Sequence, residues 1–229
     1  MTDNQPLWEL IMKNYDIIAF DLDGTLSDPS HGLVEGYIYA FKKMGIEDYG
    51  DKNSLRRYIG PPIYDEWMRE YSLSTAEADK MLALFREYYN IYGWWDNELY
   101  SGIPELLEKL RTAGKKIILA TSKPVDVAHK ILERFDLKKY FDFVGAAVDR
   151  TRDTKTAVLE YALTEVGCTD RSRAVMVGDR KYDAEGARDC GISSLGVLYG
   201  HGSEDEISAA GFTHIAKTVN EVEKILLEE

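Results

Sequence analysis

Only two cysteines, Cys168 and Cys190, occur in the 229 residues, and they do not form a CxxC pair. Histidine is scarce as well, at four. A disulfide framework or a Cys/His zinc cluster therefore has no basis, and a reducing compartment fits best. No run approaches the roughly 18 apolar residues of a membrane span. The opening stretch MTDNQPLWELIMKNY has neither a basic region followed by an apolar stretch nor a small-residue cleavage site, so a soluble, cytoplasmic protein is expected. Basic residues are outnumbered 28 to 40, for a net charge of −12. That balance lacks the basic footprint needed for nucleic acid or an anionic membrane, and neither is expected as a partner. No GxGxxG follows an apolar run, so a dinucleotide-binding module has no support. Internal repeats and low-complexity segments are also absent.

What is present reads as alternation. DIIAF (16–20), KIILA (116–120), FVGAAV (143–148), AVMVG (174–178) and LGVL (195–198) are short apolar runs with the length of buried strands. Between them lie segments of helical period. IPELLEKLRTAG has Pro104 at an early helical position and Gly114 as a stop; PVDVAHKILERF opens on Pro124; TKTAVLEYALTEVG closes on Gly167. Strands alternating with helices of this length predict an α/β fold with a Rossmann-like parallel sheet.

One block breaks the alternation. From about residue 30 to 97 helices appear without a strand. HGLVEGYIYAFKKMG puts Leu33, Val34, Tyr37, Ile38, Phe41 and Met44 on one face. STAEADKMLALFREYYNIYG opens with Ser74 and Glu77 in capping-box spacing. The expected organisation is an α/β core of residues 1–29 and 98–229 with a helical cap of residues 30–97 inserted. A short N-terminal helix burying Trp8 and Ile11 against the core is also expected.

The stretch AFDLDGTLSD (19–28) crowds Asp21, Asp23 and Asp28 at the end of an apolar run. Like charges so close raise one another's pKa unless something positive sits among them. A polar turn would explain the residue types; an EF-hand loop would not, since DLDG lacks the further oxygen ligands and the distal Glu. In an open parallel sheet, ligands gather beyond the carboxyl ends of the strands. There the chain places Asp21 and Asp23, then Thr121, Ser122 and Lys123, then Asp179 and Asp183, with Lys155 opening the helix after the third strand. Thr121 and Ser122 could equally cap the helix after Pro124, Lys155 could be a solvated helical lysine, and Asp183 an exposed first-turn acid. Lys123 competes with Lys155 for the role of counter-charge.

DLDGTL, ATSKP, RDTK and VGDRKYDAEGA together resemble the four ordered signatures of the haloacid dehalogenase-like hydrolases. The resemblance covers the core and gives residues 30–97 the position of that family's helical cap. It implies a magnesium-dependent phosphatase working through an aspartyl-phosphate. Asp21 would be the nucleophile, Asp23 the general acid and base, Thr121 and Ser122 would hold phosphate, and Lys155 would neutralise phosphate and Asp21. Mg²⁺ would be held by Asp21, the main-chain carbonyl of Asp23, and Asp179, with Asp183 steadying the ligands. An acid at Asp23 argues for phosphoryl transfer, since dehalogenating members lack one there.

The loop IGPPI, within YIGPPI (58–63), resembles that of phosphoglycolate phosphatase-like and bacterial 5′-nucleotidase-like members, and the phrases MVGDRKYDAEGA and GVLYGHGS resemble the nucleotidase-like group. The implied partner is a small phosphorylated metabolite, met in the cap by Arg56, Gly60 and Pro61, with Arg57 and Tyr64 nearby, though Arg56 and Arg57 could equally be surface charges. The aromatics Tyr92, Trp94 and Trp95 are expected to pack cap against core. The alternatives are a sugar-phosphate mutase of β-phosphoglucomutase type, a pyrophosphatase, or a non-catalytic binding protein on the same fold. A monomer or homodimer is expected.

Overall fold

The computed structural model describes residues 15–60, 63–148 and 151–227. Its strands, in chain order, are β1 (Ile17–Phe20), β2 (Ser27–Asp28), β3 (Glu98–Leu99), β4 (Lys116–Pro124), β5 (Phe143–Ala147), β6 (Ala174–Gly178), β7 (Ser193–Val197) and β8 (His214–Ala216). Six of them form one parallel sheet in the order β5-β4-β1-β6-β7-β8. β1 is flanked by β4 and β6, so the chain crosses to one side of it and later to the other. The carboxyl ends of those three strands are where such a sheet leaves a crevice.

Successive side chains of a strand point to opposite faces. Ile18 and Phe20 accordingly join one apolar cluster, and Ile17 and Ala19 another.

Between β2 and β3 lies the helical block, with α1 (Ser30–Met44), α2 (Ile63–Glu70) and α3 (Thr75–Tyr88). Leu33, Val34, Tyr37, Ile38 and Phe41 are buried and Met44 partly so, as the helical spacing requires. The Ser74/Glu77 box forms: Ser74 N donates to Glu77 Oε2 (2.9 Å) and Glu77 N to Ser74 Oγ (3.4 Å). β2 and β3 pair antiparallel, Ser27 with Leu99 and Asp28 with Glu98, and so clasp the two chain crossings.

The remaining helices cover the sheet. α4 (Ile103–Thr112), α5 (Val125–Arg134) and α9 (Val219–Leu227) pack on the Phe20 face, while α6 (Lys155–Glu165) and α7 (Lys181–Asp189) close the Ala19 face. The short α8 (Glu204–Ala209) follows β7. No described helix is long and apolar enough to cross a membrane.

Several expectations need correction. β4 continues to Pro124 rather than ending at Ala120, with an irregular register between Thr121 and Pro124. Thr121 and Ser122 are therefore strand residues, and neither side chain caps α5, whose start at Pro124 has no side-chain cap. The strand expected at 195–198 runs instead from Ser193 to Val197. β8 escaped notice because it is only three residues long and half exposed, so it carries no apolar run. The expected helix around Trp8 and Ile11 lies outside the described residues.

Trp67 of α2 is fully buried and meets Tyr37, Phe41, Tyr58 and Phe85 at centroid distances of 5.7–6.3 Å. These contacts belong to the same apolar cluster as Phe20 and Leu119 of the sheet. Trp67→Ala leaves a large cavity there, and chemical denaturation should show a loss of about 3–5 kcal/mol.

Candidate active site

The turn after β1 is built from its own backbone. Leu26 N and Ser27 N both donate to Leu22 O, and Leu22 N donates to Asp21 Oδ1 at 2.7 Å. Gly24 sits at φ +82°, and a Cβ there would lie 2.1 Å from Asp179 Oδ2. Only glycine lets the turn after β1 approach the carboxylate that follows β6 so closely. The DLDG spacing thus serves the turn and the site at once.

Lys155, the first residue of α6, is buried and its ammonium has three acceptors from three elements. It lies 2.9 Å from Asp21 Oδ1, 2.9 Å from Asp183 Oδ1, and donates to Ala120 O of β4 at 3.0 Å. Burial alone would lower its pKa, but Asp183 and Asp21 outweigh that and raise it, so Lys155 is a fixed cation. It is not a solvated helical lysine.

Lys123 is buried too, and its Nζ lies 2.6 Å from Asp23 Oδ2. Its ammonium also stands 5.1 Å from the ring centroid of Tyr89, which comes from the helical block. The two lysines therefore divide the acids: Lys155 serves Asp21 and Asp183, and Lys123 serves Asp23. Burial raises the Asp23 pKa despite the opposing pull of Lys123. Its Oδ1 is buried with no hydrogen-bond partner among the described residues.

Asp179 follows β6 and is fully buried. Its Oδ2 accepts from His201 N (2.7 Å) and its Oδ1 from Thr25 Oγ1 (3.4 Å). Burial first, then repulsion from Asp183 and Asp21, pushes its pKa well above the carboxylate range. Asp183 is fully buried rather than an exposed first-turn acid, and its Oδ2 accepts from Arg180 N at 3.0 Å. Its pKa is pushed up to about 6 by burial, against the lowering effect of Lys155.

Asp21, Asp179 and Asp183 each offer a carboxylate oxygen, and these lie within 4.8 Å of one another. Lys155 pairs with only two of the three, Asp21 and Asp183, so this buried cluster holds more carboxylates than cations. A hard, all-oxygen donor set of this kind fits a divalent cation such as Mg²⁺.

The other expected residues are placed as follows. Thr121 of β4 is buried and accepts from Lys123 N at 3.3 Å, while Ser122 is exposed. Asp28 stands apart from the acid cluster: its Oδ2 lies 3.5 Å from Arg56 Nη2 and its Oδ1 3.5 Å from His201 Nε2. Arg57 pairs with Glu70 and turns away to Tyr58. Gly60 lies at the edge of the described segment, and Pro61 is outside the described residues. Of the three aromatics, Trp94 packs on the core, but Tyr92 and Trp95 are 63% and 58% exposed. Both lie on the outer side of the turn after α3, where Arg134 stands 4.3 Å from the Trp95 ring centroid.

Sequence reasoning missed His201, Arg180 and Tyr89. His201 works through its backbone amide, which leaves no mark on residue type. Arg180 lies within the VGDRKYD signature but was overshadowed by its acids.

The family model described as haloacid dehalogenase-like hydrolase matches residues 18–197. A 5′-nucleotidase from Pseudomonas aeruginosa is 35% identical over 213 residues, covering 93% of this chain and 96% of the relative. The tyrosine-protein kinase PtkA of Mycobacterium tuberculosis is also 35% identical over 213 residues, covering 92% of this chain and 72% of the relative. A solved Clostridium difficile protein, provisionally described as a phosphatase, is 40% identical with a TM-score of 0.84, covering 94% of this chain and 100% of that one.

Proposed function

Because the chain belongs to the haloacid dehalogenase-like hydrolase family, we propose that it is a Mg²⁺-dependent phosphatase of small phosphomonoesters, of the 5′-nucleotide or phosphoglycolate kind, acting through Asp21. The observation that carries this reading is the different setting of the two acids: Asp21 joins Asp179, Asp183 and Lys155, while Asp23 stands apart on Lys123 with its pKa raised by burial. A nucleophile needs to stay ionised and a general acid needs a proton, so two adjacent acids with two roles need two environments.

Asp21 is paired with Lys155 and aimed by the Leu22 amide. A carboxylate oxygen of Asp21 forms the new bond to phosphorus as the bond to the leaving oxygen breaks. Asp23, its pKa raised by burial and its side chain oriented by Lys123, gives that oxygen its proton. The ionised Asp23 then takes a proton from water, whose oxygen attacks phosphorus and releases Asp21. Thr121 offers its hydroxyl to the phosphoryl oxygens, with Ser122 next to it at the rim, and Lys155 balances their charge. Mg²⁺, held by Asp21, the Asp23 carbonyl and Asp179 with Asp183 in support, would neutralise phosphate charge that these acids would otherwise repel.

The helical block of residues 30–97 acts as the cap over this rim, with Arg56 and Gly60 on its inner loop. Curated relatives of equal identity are named as a nucleotidase and as a kinase, so overall similarity leaves the phosphoryl acceptor open. A panel of phosphoglycolate, nucleoside monophosphates, sugar phosphates and pyrophosphate decides it. Steady release of inorganic phosphate that stops in excess chelator is expected. Isomer formation without phosphate release would mark a mutase instead, and full activity in chelator would refute the metal assignment.

A readout independent of turnover tests the same acids. Mg²⁺ added to the purified protein at neutral pH should raise Tm, because it binds a folded site the unfolded chain lacks; at about 100 times Kd the gain is about 2.7 kcal/mol. Asp179→Asn should remove most of that shift. A Tm indifferent to Mg²⁺ would mean that the acid cluster is not a cation site.

A further inference from the structure

Arg180 sits between Asp179 and the helical block, and its groups divide between them. Its main-chain N donates to Asp183 Oδ2 at 3.0 Å. Its side chain is held by Glu206 of α8, Nε to Oε1 at 2.9 Å and Nη2 to Oε2 at 3.3 Å. Glu206 is fixed in turn, accepting from Lys181 N at 2.9 Å and donating its own N to Ser203 Oγ at 3.1 Å. A guanidinium is a rigid fork, so anchoring one edge aims the other. The remaining nitrogen, Nη1, donates to the carbonyl of Ile59 in the helical block. The next residue, Gly60, has φ +102°, and a Cβ there would lie 2.8 Å from Arg180 Nη1 and 2.9 Å from its Cγ. The corner thus rests directly on the arginine. Beside this contact opens a cleft of about 290 Å³, lined in part by Arg56, Arg180, His201 and Glu206.

We propose that Arg180 is a positioning residue that clamps the Ile59–Gly60 corner of the helical block onto the acid cluster, and so sets the width of the adjoining cleft lined by Arg56, Arg180 and His201. The clamp rests on the phosphatase reading for its consequence in catalysis, but not for its existence. One residue links both sides, main chain to Asp183 and side chain to Ile59, so the corner is registered to the acids through Arg180. Arg180→Lys keeps the charge but lacks the planar fork that engages Glu206 through Nε and Nη2 while Nη1 reaches Ile59.

Two measurements on the full chain test this. Hydrogen–deuterium exchange on the substrate-free protein should show faster exchange in the peptide containing Ile59 and Gly60 for Arg180→Met and Arg180→Lys, with the peptide containing Asp21 unchanged. With an aryl phosphate and a nucleoside 5′-monophosphate as probes, KM should rise about tenfold, the scale of one lost charge-assisted hydrogen bond, and by more than kcat falls. Gly60→Ala, with Arg180 intact, should reproduce the KM rise. Unchanged exchange at Ile59 in both Arg180 variants would overturn the clamp. So would a loss confined to kcat. If the wild type releases no phosphate from any ester, the phosphatase reading fails, and the exchange result still decides the clamp.

Discussion

Asp21→Asn should abolish turnover, with a loss of about 10⁴-fold or more, the scale seen when a catalytic nucleophile is removed. An amide cannot form the acyl phosphate, and it also replaces one of the three carboxylates that converge within 4.8 Å by a neutral group. The fold should survive the change. Lys155 retains Asp183 at 2.9 Å and the Ala120 carbonyl at 3.0 Å, so its buried charge is not orphaned. Phosphate release and Tm measured on one preparation separate the two effects: activity lost with Tm near wild type is expected. Activity within about tenfold of wild type would remove Asp21 from the role of nucleophile.

Asp23→Asn should behave differently. Its shape is kept, and so is the main-chain carbonyl, so the affinity for Mg²⁺ should barely change. Proton transfer is lost, worth about 10²–10⁴-fold for alkyl esters. Aryl phosphates have acidic leaving groups that depart without a proton, so their first step should be affected far less. Lys123 adds a stability cost to this variant. Its buried ammonium lies 2.6 Å from Asp23 and loses that counter-charge. The Lys123 pKa, raised by Asp23 against burial, should fall in the variant. The sign follows: a lysine raised in the folded state stabilises the fold at neutral pH, and that contribution shrinks when the raising partner is removed. A modest drop in Tm with an aryl-to-alkyl rate ratio far above wild type is the expected pair of results. Equal slowing of both ester classes would refute the general-acid role.

Much of the site was legible because its acids sit at strand ends that short apolar runs already mark. β1 and β6 end where DIIAF and AVMVG end, and the residues that follow them are Asp21 and Asp179. Lys155 was legible through its place at the start of α6. Other features had no such mark. The extension of β4 through Thr121 and Ser122 depends on pairing with β5, which a polar TSKP segment does not advertise. The division of two lysines between two acids is a matter of which ammonium reaches which carboxylate in three dimensions. Tyr92 and Trp95 carry the residue type of a packed hinge, but their exposure is decided by the turn after α3. Asp28 resembled a member of the acid cluster, yet lies with Arg56 and His201 instead.

The most direct test of the mechanism is to look for the covalent intermediate. Asp23→Asn, with Mg²⁺ and an aryl phosphate, can form the acyl phosphate but lacks the base that opens it. Mass spectrometry of the quenched, digested protein should find one phosphoryl group on the peptide containing Asp21, absent when Asp21→Asn is combined with it. A phosphoryl group on another residue, or none while aryl alcohol is still released, would contradict an aspartyl-phosphate at Asp21.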